Sequence, residues 1–401
     1  MIAFAIWMKN STAIALRVIS ISCLIFILAT FALQAQSKAS DKFDSGHPTQ
    51  AEQFQANSVL QVFWNGSAMD REPVLFVQAP DAKVATAKLL FVPTHIISIT
   101  SGDGLHTFEA SRDYLWNPGS NTLTLTPNSR IPFKTFAELH PHKGSPESFG
   151  ETVDGQSGLF FIEGGAAFQS LQMNVTYDHK EKWKGFVPPS ASTNLRRTIA
   201  RLKNKEPLHI VVLGDSISAG ACASATFGGP PYQPPFTGLV AEALHVEYGA
   251  PVTLDNLSVG GMVSTWGVTV APNVAAENPD LAIIAFGMND ASAGESSIVY
   301  SHNIHAIIDT VRKRNPNTDF ILVATMTGNP EWNKSNSELY TEYLNELLKL
   351  EGPGIAVANM TSLWRDMLRT KTFVDLTGNG INHPNDFGHR VYAQVILQLL
   401  Q

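Results

Sequence analysis

Ser216 stands in Gly214-Asp215-Ser216, directly after the stretch Leu208–Leu213, apolar but for His209. An apolar run of that length without polar alternation reads as a buried parallel strand. A serine on the turn leaving it stands where open α/β sheets bind ligands, at the carboxyl ends of the strands. Such a serine is a nucleophile if a base comes within reach; otherwise Ser216 and Asp215 do no more than cap the next helix. Three later groups could complete the chemistry. The second strand candidate, Val252–Leu257, leads into Asn256-Leu257-Ser258-Val259-Gly260-Gly261-Met262; the glycine pair makes a tight turn and can leave a backbone N–H open to a ligand. Gly287-Met288-Asn289-Asp290 follows a third run; Asn and Asp are ordinary turn formers, and the Asn289 amide can equally donate to an oxyanion. Asn382-His383-Pro384-Asn385-Asp386-Phe387-Gly388-His389 precedes the last helical stretch, and either histidine is a candidate general base or a structural residue. Nucleophile, base and oxyanion donors on one strand-end face are the set that acyl transfer requires.

These groups need a scaffold, and the pattern from Leu208 onward supplies one. Strand-like runs at Ile210–Leu213, Val252–Leu257, Leu281–Phe286, Phe320–Ala324 and Ile355–Ala358 alternate with helical stretches at Thr237–Glu247, His302–Arg314, Ser335–Leu350 and Phe387–Leu400. Alternation of this kind predicts a parallel sheet with helices on both faces.

The preceding stretch reads differently. Short strand candidates, Val59–Trp64, Val74–Gln78, Lys88–Val92, Ile96–Thr100, Thr122–Thr126, Leu159–Ile162 and Leu171–Tyr177, are separated by turn residues. That spacing suggests a sandwich or jelly-roll over 58–178. His140 and His142 lack a third metal ligand nearby. Trp64, Trp116 and Phe161 read as core residues before they read as sugar anchors. Residues 179–207, with Lys180, Lys182, Lys184, Pro188-Pro189 and a short basic helix around Thr193–Lys203, read as a solvated linker.

At 401 residues and 44% hydrophobic, the chain has material for two domains and a large core. Its 28 basic and 35 acidic residues leave a net charge of −7 and no basic stripe, which argues against nucleic acid as a partner. Lys9 and Arg17, the apolar segment 18–33 and the exit Gln34-Ala35-Gln36-Ser37 have the layout of a secretory signal over residues 1–36. The expectation is an exported protein, periplasmic or extracellular, without stable membrane association after cleavage. Of the two cysteines, Cys23 lies in that segment and leaves Cys222 without an intramolecular partner.

Four blocks over residues 208–401 resemble the SGNH (GDSL-type) hydrolases: Gly214-Asp215-Ser216, Asn256 with Gly261, Gly287-Met288-Asn289-Asp290, and His383-Pro384. The resemblance implies a three-layer α/β/α flavodoxin-like domain and a serine esterase with neither metal nor cofactor. It assigns Ser216 as nucleophile, His383 as base, and the N–H groups of Ser216 and Gly261 with the Asn289 side chain as oxyanion hole. The family has an aspartate three residues before this histidine, where this chain has Gly380. Asp375 is then the first candidate for the third member, with Asn379, Asp386 or a backbone carbonyl as alternatives; Asp386 looks more like an N-cap. The β-rich stretch resembles the accessory domain of two-domain exported carbohydrate acetylesterases. The implied substrate is an O-acyl ester, O-acetyl first, on extracellular carbohydrate. Trp266, Trp332 and the loop Gly229–Pro235 stand near the site as possible sugar contacts. A lipid or short-chain ester hydrolase and a non-catalytic carbohydrate-binding protein are the alternatives.

Overall fold

Five parallel strands carry the α/β part of this computed structural model, which describes residues 43–44, 56–162 and 165–401. The expected export segment, residues 1–36 with Cys23, lies outside the described residues. In chain order the β-rich part contributes β2 (Ala68–Val74), β3 (Phe76–Gln78), β4 (Thr86–Lys88), β5 (Pro93–Ser101), β6 (Thr107–Phe108), β7 (Tyr114–Trp116), β8 (Thr122–Leu125), β9 (Phe133–Thr135), β10 (Ser148–Phe149), β11 (Leu159–Phe160) and β12 (Met173–His179), after the two-residue β1 (Phe43–Asp44). They form a four-stranded sheet in the order β2-β12-β5-β6 and a five-stranded sheet in the order β7-β8-β4-β3-β9, with β10 and β11 as a separate pair. In β12 the residues Met173, Val175, Tyr177 and His179 are buried and their neighbours are not, the period-two pattern of a sheet with one inner face.

The α/β part begins with α1 (Arg196–Lys203) and β13 (Leu208–Gly214), followed by α2 (Phe236–Tyr248), β14 (Val252–Asn256), α3 (Ser264–Ala276), β15 (Leu281–Ala285), α4 (Met288–Ala293), α5 (Ser297–Arg314), β16 (Asp319–Ala324), α6 (Ser337–Leu348), β17 (Ile355–Asn359), α7 (Met360–Met367), α8 (Phe373–Leu376) and α9 (Asp386–Leu399). The sheet order is β14-β13-β15-β16-β17, all parallel, with β1 added antiparallel at the β14 edge. The chain order therefore reverses at β13. In open α/β sheets such a reversal opens a crevice at the strand carboxyl ends, and Ser216 stands just past the end of β13. The mixed α/β class with a β-rich part in front agrees with the expectation.

Four readings are corrected. Lys88–Val92 is strand only at Lys88, because the side chains of Glu72, Tyr177 and Glu181 take the N–H groups of Leu90, Phe91 and Val92. Val59–Trp64 is no strand: residues 56–60 are helical and a turn follows. Val59, Phe63 and Trp64 are all buried at the i, i+4, i+5 spacing of a helical face; the run of β-branched and aromatic residues alone suggested a strand. Residues 179–207 are not a solvated linker. Leu195, Ile199 and Leu202 bury one face of α1, Ala191 N–H donates to Leu399 O (3.0 Å), and Thr198 bonds the Asp319 carboxylate at 3.0 Å through both N–H and hydroxyl. The basic residues that suggested solvation are only the outer face of that helix. Finally, β2 and α3 carried no strand or helix expectation. Asp70, Arg71 and Glu72 interrupt the apolar pattern of the first, and Gly267 and Pro272 that of the second.

The β-rich and α/β parts share one buried hydrophobic cluster, from Val59, Phe76 and Tyr177 through Ile210 and Phe286 to Leu399. Charged contacts bind them further. Lys371, fully buried, meets Glu72 of β2 at 2.8 Å and Lys88 O at 2.7 Å; Glu72 also accepts from Tyr177 OH (2.6 Å) and Leu90 N–H (2.9 Å). Arg390 of α9 pairs with Asp70 at 2.8 Å. Buried charges are tolerated only when paired and hydrogen-bonded in this way. Among the described residues no helix is long and apolar enough to cross a membrane.

Candidate active site

Gly214 ends β13 with no room for a side chain: a Cβ there would lie 2.4 Å from Ala285 O and 2.5 Å from Ser218 Oγ. That close approach seats the nucleophile turn against β15. The turn is closed by Ala219 N–H to Asp215 O (2.9 Å) and Ala221 N–H to Ser216 O (2.9 Å). Asn256, at the end of β14, donates to Ser218 O (2.7 Å) and accepts from Ser258 N–H (3.1 Å), so it ties the turn to the neighbouring strand. Ser216 is left half-buried, with its hydroxyl facing His383: Oγ and Nε2 are 2.8 Å apart. This is the hydrogen bond a nucleophile–base pair requires.

The oxyanion donors assemble beside it. Gly261 takes φ +79°, the left-handed region that glycine enters without steric cost. Neither its N–H nor that of Ser216 has a hydrogen-bond partner among the described residues. Gly260 approaches Ser216 closely enough that a Cβ on it would lie 3.7 Å from the serine Cβ. Asn289, in the first turn of α4, donates from Nδ2 to Met262 O at 3.0 Å and so stands against the same segment. Asp290 anchors that segment by accepting from the N–H (2.9 Å) and hydroxyl of Ser264. Asp290 belongs to a block singled out in the sequence, but its anchoring role was not assigned there; two small residues leading into α3 gave no signal. Burial raises the carboxyl of Asp290, and raises that of Asp215 to about 7 with help from the Asp290 charge.

His383 sits on a loop that organises itself. Thr377 bridges to Pro384, Gly378 N–H donates to His383 O (3.0 Å), and Asn385 N–H donates to Leu376 O (3.1 Å). Inside the ring, Asn379 Oδ1 accepts the N–H groups of Ile381 (3.0 Å), Asn382 (3.1 Å) and His383 (3.1 Å). Only oxygen can answer three donors, so the amide nitrogen must face the other way. It lies 3.0 Å from His383 Nδ1 and 3.1 Å from Asn382 Oδ1. Among the candidates for the third member, then, the structure places Asn379 on the histidine.

Asp375 is not there. Its carboxylate closes a capping box with Thr372 (N–H and hydroxyl, each 2.8 Å), accepts Leu75 N–H (2.8 Å) and stands 3.8 Å from Lys371. The reason is local: Thr372 and Asp375 have the spacing of a helix start, and the cap uses the carboxylate. Asp386 accepts Ser224 N–H (2.8 Å), and burial raises it to about 6; Asn385, not Asp386, caps α9. His389 is buried in α9, with Nε2 on Ala221 O (3.0 Å) and Nδ1 accepting Phe236 N–H (3.3 Å), a structural residue. Trp332 packs with Leu159 and Ile381, and Trp266 lies edge-on to Phe286. His140 turns Nδ1 to Phe136 O (2.9 Å) and Nε2 to Glu331 (3.3 Å).

The stretch that carries this serine–histidine pair, its two open N–H groups and the asparagine amide matches a known family. The GDSL-like lipase/acylhydrolase family model matches residues 212–391. Over residues 212–391 the chain is similar to that family. The matched span begins inside β13 and ends inside α9, so it takes in Ser216, Gly261, Asn289 and His383 together. Acyl hydrolysis is the chemistry that family's description names, and Ser216, Gly261, Asn289 and His383 stand in an arrangement that such chemistry can use. No curated protein matches the chain. Solved structures that do include a two-domain esterase (CEX) active on acetylated mannans, at 21% identity over 54% of this chain and 54% of that one, TM-score 0.42. The match thus spans about half the length of that esterase. Lipase Lip_vut3 from goat rumen metagenome matches at 15% identity over 48% of this chain and 97% of its own, TM-score 0.40. Axe2, an acetylxylan esterase from Geobacillus stearothermophilus, matches at 15% identity over 48% and 94%, TM-score 0.39.

Asn379 marks this site off from a serine–histidine–aspartate arrangement. An amide N–H donating to Nδ1 leaves the neutral imidazole proton on Nε2, where it donates to Ser216 Oγ. A base needs the opposite tautomer, with Nδ1 protonated and the Nε2 lone pair on the serine hydroxyl. With no carboxylate to favour the imidazolium, burial alone acts on the ring and lowers His383 to about 4.

Proposed function

We propose that this protein is an exported serine esterase that removes O-acyl groups, O-acetyl first, from extracellular carbohydrate. The observation that carries the esterase reading is the 2.8 Å contact between Ser216 Oγ and His383 Nε2 at the β13 switch point. In turnover His383 takes the Ser216 proton as Oγ attacks the ester carbonyl. The oxyanion then gains the N–H groups of Ser216 and Gly261 and the Asn289 amide. Each such donor is worth about 3–4 kcal/mol of barrier. The alcohol leaves with the proton from His383, and a water activated by the same ring hydrolyses the acyl-serine. Because Asn379 favours the Nε2–H form of the resting ring, both proton transfers run through the minor tautomer.

The substrate class is supported by the shape of the surface. Gly260 and Gly261 are exposed beside the half-buried Ser216. An open polar face of this kind admits a small acyl group pendant on a large polar chain. The apolar segment 18–33 supports the extracellular setting. A second reading, a carbohydrate-binding protein on a hydrolase scaffold, is favoured by one observation, the Asn379 amide where a carboxylate would serve catalysis.

Acetate release from a panel of acetylated polysaccharides, run beside p-nitrophenyl esters of rising acyl length, tests the proposal. Release from a glycan that is lost in Ser216→Ala supports it. Turnover of long acyl esters alone would move the substrate to lipid, and silence on every ester would leave the binding protein.

A further inference from the structure

Helix α8 is one turn long and runs straight into the His383 loop. The last carbonyls of a helix have no partner within it. Here three carbonyls at that end, Val374 O, Asp375 O and Thr377 O, lie 2.6, 3.2 and 2.9 Å from a single side-chain nitrogen, Nε2 of Gln172. An amide has two N–H groups, so one is shared between carbonyls. Its Oε1 accepts from Asn385 Nδ2 (3.2 Å), and Asn385 in turn caps α9 through Gly388 N–H (3.1 Å). Gln172 is 3% exposed. It immediately precedes β12, which is paired on both sides, to β2 and to β5, and so is held by the four-stranded sheet. One residue of the β-rich part thus grips both ends of the loop that carries the base.

The bonds inside the loop, from Thr377, Gly378 and Asn379, set its shape. They do not set where the whole ring stands relative to Ser216, which is fixed to β13. We propose that Gln172 is a positioning residue that holds the His383 loop at its working distance from Ser216. The β-rich part is then a component of the catalytic site and more than an appended module. The proposal rests on the esterase reading for its kinetic consequences, though the placement of the ring can be read without turnover.

The test is made on Gln172→Met, which keeps the length and removes both polar ends. A second variant, Gln172→Glu, keeps the shape and replaces the donor with a group that offers carbonyls nothing in its ionised form. Active sites are titrated with a p-nitrophenyl phosphonate, so that kcat on p-nitrophenyl acetate is counted per competent serine. Displacement of a base by about 1 Å costs on the order of a hundredfold, so kcat per site should fall by about that factor while KM stays within about twofold. A purely structural role would lower the titrated fraction and leave kcat per site alone. The ring resonance of His383, assigned by its loss in His383→Gln, should shift in both variants. A kcat per site within about threefold of the parent, or an unmoved His383 resonance in both variants, overturns the proposal. If the parent turns over no ester, the esterase reading fails by itself and the resonance still decides the role of Gln172. In the unmodified chain, the amides of Gly378 and Asn385 should exchange as slowly as those of β12; fast exchange confined to the loop contradicts the clamp.

Discussion

Asn379 presents its amide nitrogen, not its oxygen, to Nδ1 of His383, at 3.0 Å. The orientation is dictated by the three backbone N–H groups that converge on Oδ1. An aspartate in the same place would satisfy those donors with one oxygen and accept Nδ1–H with the other. Asn379→Asp should therefore favour the tautomer in which Nε2 is the base. Where an asparagine holds the wrong tautomer, the rate loss in a serine–histidine–aspartate site is large, about 10⁴-fold in the best-studied case. The expected gain in kcat is about tenfold or more, measured on p-nitrophenyl acetate at fixed pH. No gain would mean that the amide does not control the proton.

The pH profile follows from the same environment. His383 falls to about 4 because burial disfavours its charged form. The neutral ring is the active one, so activity is present above that value and lost as pH falls through it. The acid limb of kcat/KM, which reports groups in the free enzyme, is expected near pH 4 instead of near 6.5, the ordinary value for histidine. In Asn379→Asp the added carboxylate favours the imidazolium, and the limb should move up. A parent limb near 6.5 would contradict the buried, unassisted ring.

Asn289 supplies the side-chain donor of the oxyanion hole in this account. Asn289→Ala should lower kcat by about 10²–10³ with little change in KM, the signature of a contact made in the transition state. A change in KM alone would place Asn289 in substrate binding.

Asp375 is a structural carboxylate. Asp375→Asn should leave kcat per titrated serine within about threefold, while stability falls by roughly 1.5–3 kcal/mol for the lost charged hydrogen bonds. Thermal unfolding alongside active-site titration separates the two effects. A collapse of kcat per site at unchanged Tm would restore Asp375 as a catalytic acid.

What could be read from the sequence divides along physical lines. Ser216 and Asn289 follow apolar runs of Ile, Val, Leu and Ala that are buried on both faces, and such runs declare themselves locally; Gly261 follows β14, where buried Val252 and Leu254 alternate with the exposed Thr253. Strand order then puts their ends together. For Asp375, nearness in sequence to His383 says nothing about a helix cap that takes the carboxylate first. Asn379 was among the alternatives, but which end of its amide faces the ring depends on three N–H groups of a loop not yet folded. Gln172 was out of reach altogether, since its partners lie some 200 residues onward. In the β-rich part, Asp70 and Glu72 hid strand β2, because the cations that satisfy them, Arg390 and Lys371, come from the other end of the chain.

The most direct measurement on the central claim is covalent. The protein is incubated with a p-nitrophenyl phosphonate, and the adduct is counted and located by peptide mass. This account predicts one adduct per chain, on Ser216, lost in Ser216→Ala and slowed in His383→Ala. An unlabelled Ser216, or an adduct that persists on another residue in Ser216→Ala, would contradict it.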